Sequence, residues 1–127
     1  MNSPYVLLYN LQNSKGAKIK MICHKLNISF KSVERSEYSL KIADLISHKE
    51  PEKDSENDDF SDEMLLLAHF NNQLLNTFLK NLKSGKVPVA LKAVLTEHNS
   101  KFTSIQLYNE ISAEHKALRE GRVAHKE

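Results

Sequence analysis

The 127 residues, 40% of them apolar, supply one domain core and not two. The single cysteine, Cys23, excludes an intrachain disulfide and a cysteine-built zinc site, and fits a reducing cytoplasm. The net charge of +2 hides an asymmetry: Glu50 to Glu63 (EPEKDSENDDFSDE) holds eight of the sixteen acids and one base, which leaves 17 bases against 8 acids, or +9, on the other 113 residues.

Every apolar run stops well short of the roughly 20 residues that cross a bilayer. The opening MNSPYVLLYN has no basic region before its apolar run, which argues against a secretory leader. Tyr5 to Leu11 reads as a short buried strand. Asn13 and Ser14 are helix-capping types, and Ile19, Ile22, Cys23 and Leu26 recur at the spacing of an amphipathic helix, with Asn27 as its stop. Ile28 to Glu34 alternates as a partly exposed strand, with Ile28, Phe30 and Ser32 on one side. A short helix is expected over about Ser36 to Ile46. The acidic segment, about 48–62, has no periodicity and reads as a mobile loop.

Pattern returns at Met64, and EMLLLAHF reads as a strand. Asn71 or Asn72 caps a helix carrying Leu75, Phe78, Leu79 and Leu82, and Lys83, Ser84 and Gly85 end it. Val89 to Thr96 is the next strand. Thr103 and Gln106 form a T-x-x-Q capping box for a last helix through Leu107, Ile111 and Leu118, with Gly121 as its stop and residues 121–127 as a frayed tail.

The halves share one plan of strand, Asn-bearing turn, helix and strand. Their helix positions are offset by 56 residues, Ile19 to Leu75 and Leu26 to Leu82. The expectation is a single α+β domain, a ferredoxin-like βαββαβ sandwich with an extra C-terminal helix; the alternative is a small α/β parallel sheet. VLLY and MLLLA are apolar on both faces, so both sheet faces should be covered. Two helices cover one; the third helix, or a second subunit in a homodimer, covers the other.

PVALKAVLTEHNSKFTSIQLYNEISAEH, Pro88 to His115, resembles the C-terminal signature of an uncharacterised bacterial family, domain of unknown function 3783. EMLLLAHFNNQLLNTFLKNLK and VLLYNLQNSKGAKIKMICHKL also fit that family's plan, so the resemblance extends over nearly the whole chain. In the family pattern a proline often follows the threonine and a tryptophan holds the aromatic slot. Here these are Glu97 and Phe102, so neither family residue is essential in this member. The resemblance implies a small cytoplasmic domain and carries no activity with it.

Strand phase puts Val89, Leu91, Ala93 and Leu95 on one face and Lys92 on the other, the face whose covering is open. Lys92 could hold a phosphate or carboxylate, or its stem could lie over the sheet with the ammonium in water. Thr96, Glu97, His98 and Asn99 follow at a strand end that precedes a helix, where ligands bind and His with Glu can move protons. The plainer reading is a connecting turn with an Asx-type bond. The six histidines show no metal spacing, and three glycines cannot build a phosphate cradle. His69 reads as a strand-end residue and Cys23 as a small buried hydrophobe.

The βαββαβ order and VLLYNL are similar to the RNA-recognition module, but its stacking segment is missing, and Tyr5, Tyr9 and Phe70 read as packing residues. The function expected is a non-enzymatic binding or regulatory domain with no cofactor and no metal. Its partners would be a second copy of itself or another protein, and not a membrane. A nucleic-acid-associated protein is the alternative, using Lys18, Lys25, Arg119 and Arg122, with the acidic segment as an autoinhibitor. A small-ligand or enzyme site around Lys92 is the third reading.

Overall fold

The computed structural model describes residues 3–34, 37, 38, 40–46 and 60–119, with side chains as far as Ala117 in the last helix. Most of the acidic segment and the tail 121–127 lie outside the described residues. The chain forms two compact units: Met1–Glu34 with Ser61–Thr96, and Arg35–Phe60 with Glu97–Glu127.

The first unit is two strand–helix–strand repeats. β1 (Tyr5–Tyr9), α1 (Ser14–Lys25) and β2 (Ser29–Val33) form the first; β3 (Met64–Ala68), α3 (Asn72–Ser84) and β4 (Leu91–Val94) form the second. The sheet order is β2-β1-β3-β4. β1 and β2 are parallel, β3 and β4 are parallel, and the central pair β1 and β3 is antiparallel.

The mixed sheet with its helices is α+β, as expected, but its order is not ferredoxin-like. A split βαβ unit leaves room for another strand between its two; here the two strands of each unit are hydrogen-bonded neighbours. The antiparallel centre also excludes the all-parallel alternative. The α+β class holds while both expected strand arrangements miss for one reason: periodicity identifies strands but not which strand lies beside which.

The repeat itself is present, at an offset of 59 residues. Leu7 pairs with Leu66 across the central strands. The buried Ile19 and Cys23 of α1 correspond to the buried Phe78 and Leu82 of α3. Left-handed backbone occurs at Asn10 and His69, and again at Asn27 and Lys86. The offset of 56 read from the sequence is therefore three residues out. Three residues are a little under one helical turn, so the wrong alignment still looks in phase.

Asparagine begins both helices. Asn13 Oδ1 accepts from Gly16 N at 3.0 Å, and Asn71 Oδ1 accepts from Leu74 N at 2.7 Å. Gly85 caps α3 in right-handed backbone, φ −84°, and the reversal falls on Lys86, φ 57°. The glycine that matters is Gly16: a Cβ there would stand 1.6 Å from the Leu11 carbonyl oxygen.

Val6, Leu8, Leu65 and Leu67 meet Ile19, Cys23, Phe78 and Leu82 in one core on the helix side of the sheet. Each such side chain contributes about 1.5–3 kcal/mol when fully buried. On the second face, Leu7, Tyr9, Met64 and Leu66 have no exposed surface within the single chain. β4 is shorter than expected because the chain bends at Ala90. Val87 and Val89 join the helix-side core, whereas beyond the bend that side is taken by Lys92 and Val94, partners of Leu65 and Leu67.

The second unit contains α2 (Ile42–Ile46), a 3-10 turn (Asn99–Lys101) and α4 (Ser104–Arg119). The described part of the expected helix over 36–46 is confined to Ile42–Ile46. Phe60 lies between two rings, 4.7 Å from Tyr38 and 4.1 Å from Tyr108, both stacked. The capping box is reciprocal: Thr103 N donates to Gln106 Oε1 at 2.9 Å, and Gln106 N donates to Thr103 Oγ1 at 3.2 Å. An antiparallel bridge joins Lys41 to Thr103, and Ser104 N donates to the Tyr38 carbonyl at 3.1 Å.

Candidate functional site

The five residues expected around Lys92 do not form one site within either unit. Lys92 and Thr96 belong to the first unit, and Glu97, His98 and Asn99 to the second. Lys92 is exposed on the edge strand β4, and its ammonium donates to the Val89 carbonyl. It lies on the helix side of the sheet, not on the second face, because the bend at Ala90 resets the strand phase. Asn99 opens the 3-10 turn, buried, and its carbonyl accepts from Phe102 N at 3.0 Å. The His98 ring meets Phe102 edge-on at 5.0 Å. Ser100 Oγ donates to the Glu97 carbonyl at 3.0 Å, which is the local turn chemistry of a connection.

Tyr9 is fully buried and Phe70 packs edge-on to Phe78 at 5.5 Å, so neither is a stacking platform. Burial pushes the Cys23 thiol up to about 12, so Cys23 is an inert core residue, as its helix position suggests. Among the described residues no three His, Cys, Asp or Glu side chains converge as metal ligands. No described helix is long and apolar enough to cross a membrane.

A different surface has the character of a site. On the helix side of the first unit, an open groove of about 810 Å³ runs between α1, β2 and the end of α3. Met21, Ile22, Phe30 and Val87 give it apolar walls, and Lys18, Lys20 and Lys25 stand around it. Met21 is 71% exposed and Phe30 39%. The Lys20 ammonium is 6.0 Å from the Phe30 ring centroid, the outer limit of a cation–π contact. A second hollow adjoins it through Val87 and is bordered by Lys83, Lys86 and Lys92.

Among the described residues no acidic side chain lines either hollow. The cause is visible in the sequence: residues 14–33 hold five lysines and 64–96 hold four, with no acid in either stretch. Lys15, which lines neither hollow, is held in an ion pair. Its ammonium pairs with Glu63 Oε1 at 2.6 Å and donates to the Pro88 carbonyl at 3.1 Å, while Asn13 Nδ2 donates to Glu63 Oε2 at 3.2 Å. Both partners are partly solvated, so the pair fixes the start of α1 more than it stabilises the fold.

Two of the bases singled out from sequence, Lys18 and Lys25, line the groove. Arg122 lies outside the described residues, and the Arg119 side chain is not described. Met21 and Phe30 escaped sequence reasoning. Phe30 does share the helix side with Ile28, but β2 is an edge strand and leaves it open. The signal that could have found the site is the pair of acid-free, lysine-bearing stretches.

No curated protein and no solved structure matches the chain. A family match covers residues 63–118, running from β3 into α4. It includes the PVALKAVLTEHNSKF stretch but not the first repeat, and is narrower than the resemblance drawn over nearly the whole sequence. Residues 63–118 carry a domain of unknown function (DUF3783).

Proposed function

We propose that this protein is a non-enzymatic binding module whose working surface is the lysine-rimmed groove of the first unit, and that its partner is acidic. The observation that carries the reading is the coincidence of exposed apolar side chains, Met21 and Phe30, with Lys18, Lys20 and Lys25, and with no carboxylate among the described residues of the lining. Apolar surface left open on a folded chain is a recognition surface when it is rimmed by one kind of polar group. One-sign rims raise the encounter rate with oppositely charged partners.

Nucleic acid is the second reading, favoured by Lys18 and Lys25 standing beside an exposed aromatic ring.

The test is fluorescence anisotropy with a labelled oligoglutamate peptide and a labelled oligothymidylate, at low and high salt. The wild-type protein binds an anionic probe at low salt, and the double variant Lys18→Glu/Lys25→Glu loses that binding. Equal binding by the variant, or no binding of either probe, refutes the reading.

A further inference from the structure

We infer that the groove receives an acidic amphipathic helix from a partner protein, an inference that rests on the binding reading above. Three features of the surface select this occupant over a nucleic acid strand. First, the floor is apolar: Met21, Ile22, Phe30 and Val87 would be covered by leucine- or phenylalanine-type side chains, not by phosphates. An exposed methionine, unbranched and polarizable, adapts to the side chains of a docked helix. Second, among the described lining residues the only rings are Phe30 and the His24 imidazole, whereas strand binding uses a run of successive stacking rings. Third, no arginine lies in the first unit, so the bidentate fork that most often reads base edges is absent there.

Charge supports the same partner. The first unit carries nine lysines against Glu34, Asp62 and Glu63, a net +6, and Glu63 is already paired with Lys15. The length is also suitable. α1 has twelve residues, so its flank is about 18 Å long and accommodates roughly three turns of a second helix. The occupant is then a short helix with an apolar face toward Met21 and Phe30 and carboxylates toward Lys18, Lys20 and Lys25. The adjoining hollow at Lys83, Lys86 and Lys92 would take acidic residues flanking that helix.

The experiment uses two synthetic peptides of identical composition. One places leucine and phenylalanine on a single helical face with glutamate opposite; the other scrambles the order so that no face is apolar. Each is titrated into the full-length ¹⁵N-labelled chain at low salt, beside oligothymidylate. The amphipathic peptide binds about tenfold more tightly than its scramble, and shifts the amides of Met21, Phe30 and Gly85. Met21→Ser/Phe30→Ser, which leaves the charge unchanged, removes that preference.

Equal affinity for the two peptides overturns the inference while the basic-surface reading stands. So does oligothymidylate that shifts the same amides more tightly than the amphipathic peptide. If no probe moves the groove amides, the binding reading fails with it.

Discussion

Replacing Gly16 with alanine tests the packing of the first unit at its tightest point. The new Cβ would lie 1.6 Å from the Leu11 carbonyl oxygen and 2.8 Å from its carbon. Real Cβ atoms essentially never approach closer than 3.0 Å, so the start of α1 must move by about 1.4 Å. That movement breaks the 3.0 Å bond from Gly16 N to Asn13 Oδ1, a cap worth about 1 kcal/mol. It also lifts Leu11, which is 1% exposed, out of the core at a cost of about 2 kcal/mol. Alanine returns about 1 kcal/mol through its higher helix propensity. The net loss is about 2 kcal/mol, or a fall of about 1 M in the urea midpoint for a slope near 2 kcal/mol/M. Gly85→Ala is the control: its Cβ meets only ordinary or slightly tight contacts at 3.2 and 3.5 Å, and its φ is −84°, so it should change stability by less than about 0.5 kcal/mol. A midpoint for Gly16→Ala equal to or above the wild-type value would refute the argument.

The Cys23 thiol, held near 12 by burial instead of its ordinary 9.0, keeps its proton in the folded chain while the unfolded chain ionises above pH 9. Stability is therefore full below pH 9 and declines between pH 9 and 12; urea midpoints across that range should show a drop that Cys23→Ala reduces, and a native-state thiol reagent should react only on unfolding. Phe60→Ala removes a ring stacked on both sides, and should lower stability by about 3–4 kcal/mol in thermal or urea unfolding. Lys86 holds a left-handed backbone, as does Asn27; because asparagine tolerates that region better than lysine, Lys86→Gly should raise the melting temperature more than Asn27→Gly.

Local structure was legible where it depends on neighbouring residues. Asn13, Asn71 and the Thr103–Gln106 box cap their helices as their types and spacing suggest. The burial of MLLLA on both faces follows from its unbroken apolar run. Strand order was not legible, because either partner of β1 satisfies the same pattern. The phase of β4 was not legible either: the bend at Ala90 moves Lys92 to the other side of the sheet, and nothing in PVALKAVL forces a bend there. Gly85 illustrates a related limit. Its position at the helix end is right, yet the left-handed residue is the lysine after it.

The functional surface was half legible. Lys18 and Lys25 stood out as bases on a wet helix face, but Met21 and Phe30 looked like ordinary members of an amphipathic helix and an alternating strand. Their exposure comes from tertiary position: β2 is the sheet edge, and α1 turns Ile19 and Cys23 inward while Met21 faces out. The acidic segment was legible as a departure from the overall charge, but the remaining +9 was not divided further, and the two acid-free, lysine-bearing stretches were the overlooked signal.

The most direct test of the account is the amide spectrum of the wild-type chain titrated with oligoglutamate at low salt. The account predicts shifts concentrated on Lys18 to Lys25, Phe30 and the end of α3, weakening as salt is added. Shifts concentrated on α4 or the 97–102 turn, or no shifts at any concentration, would contradict it.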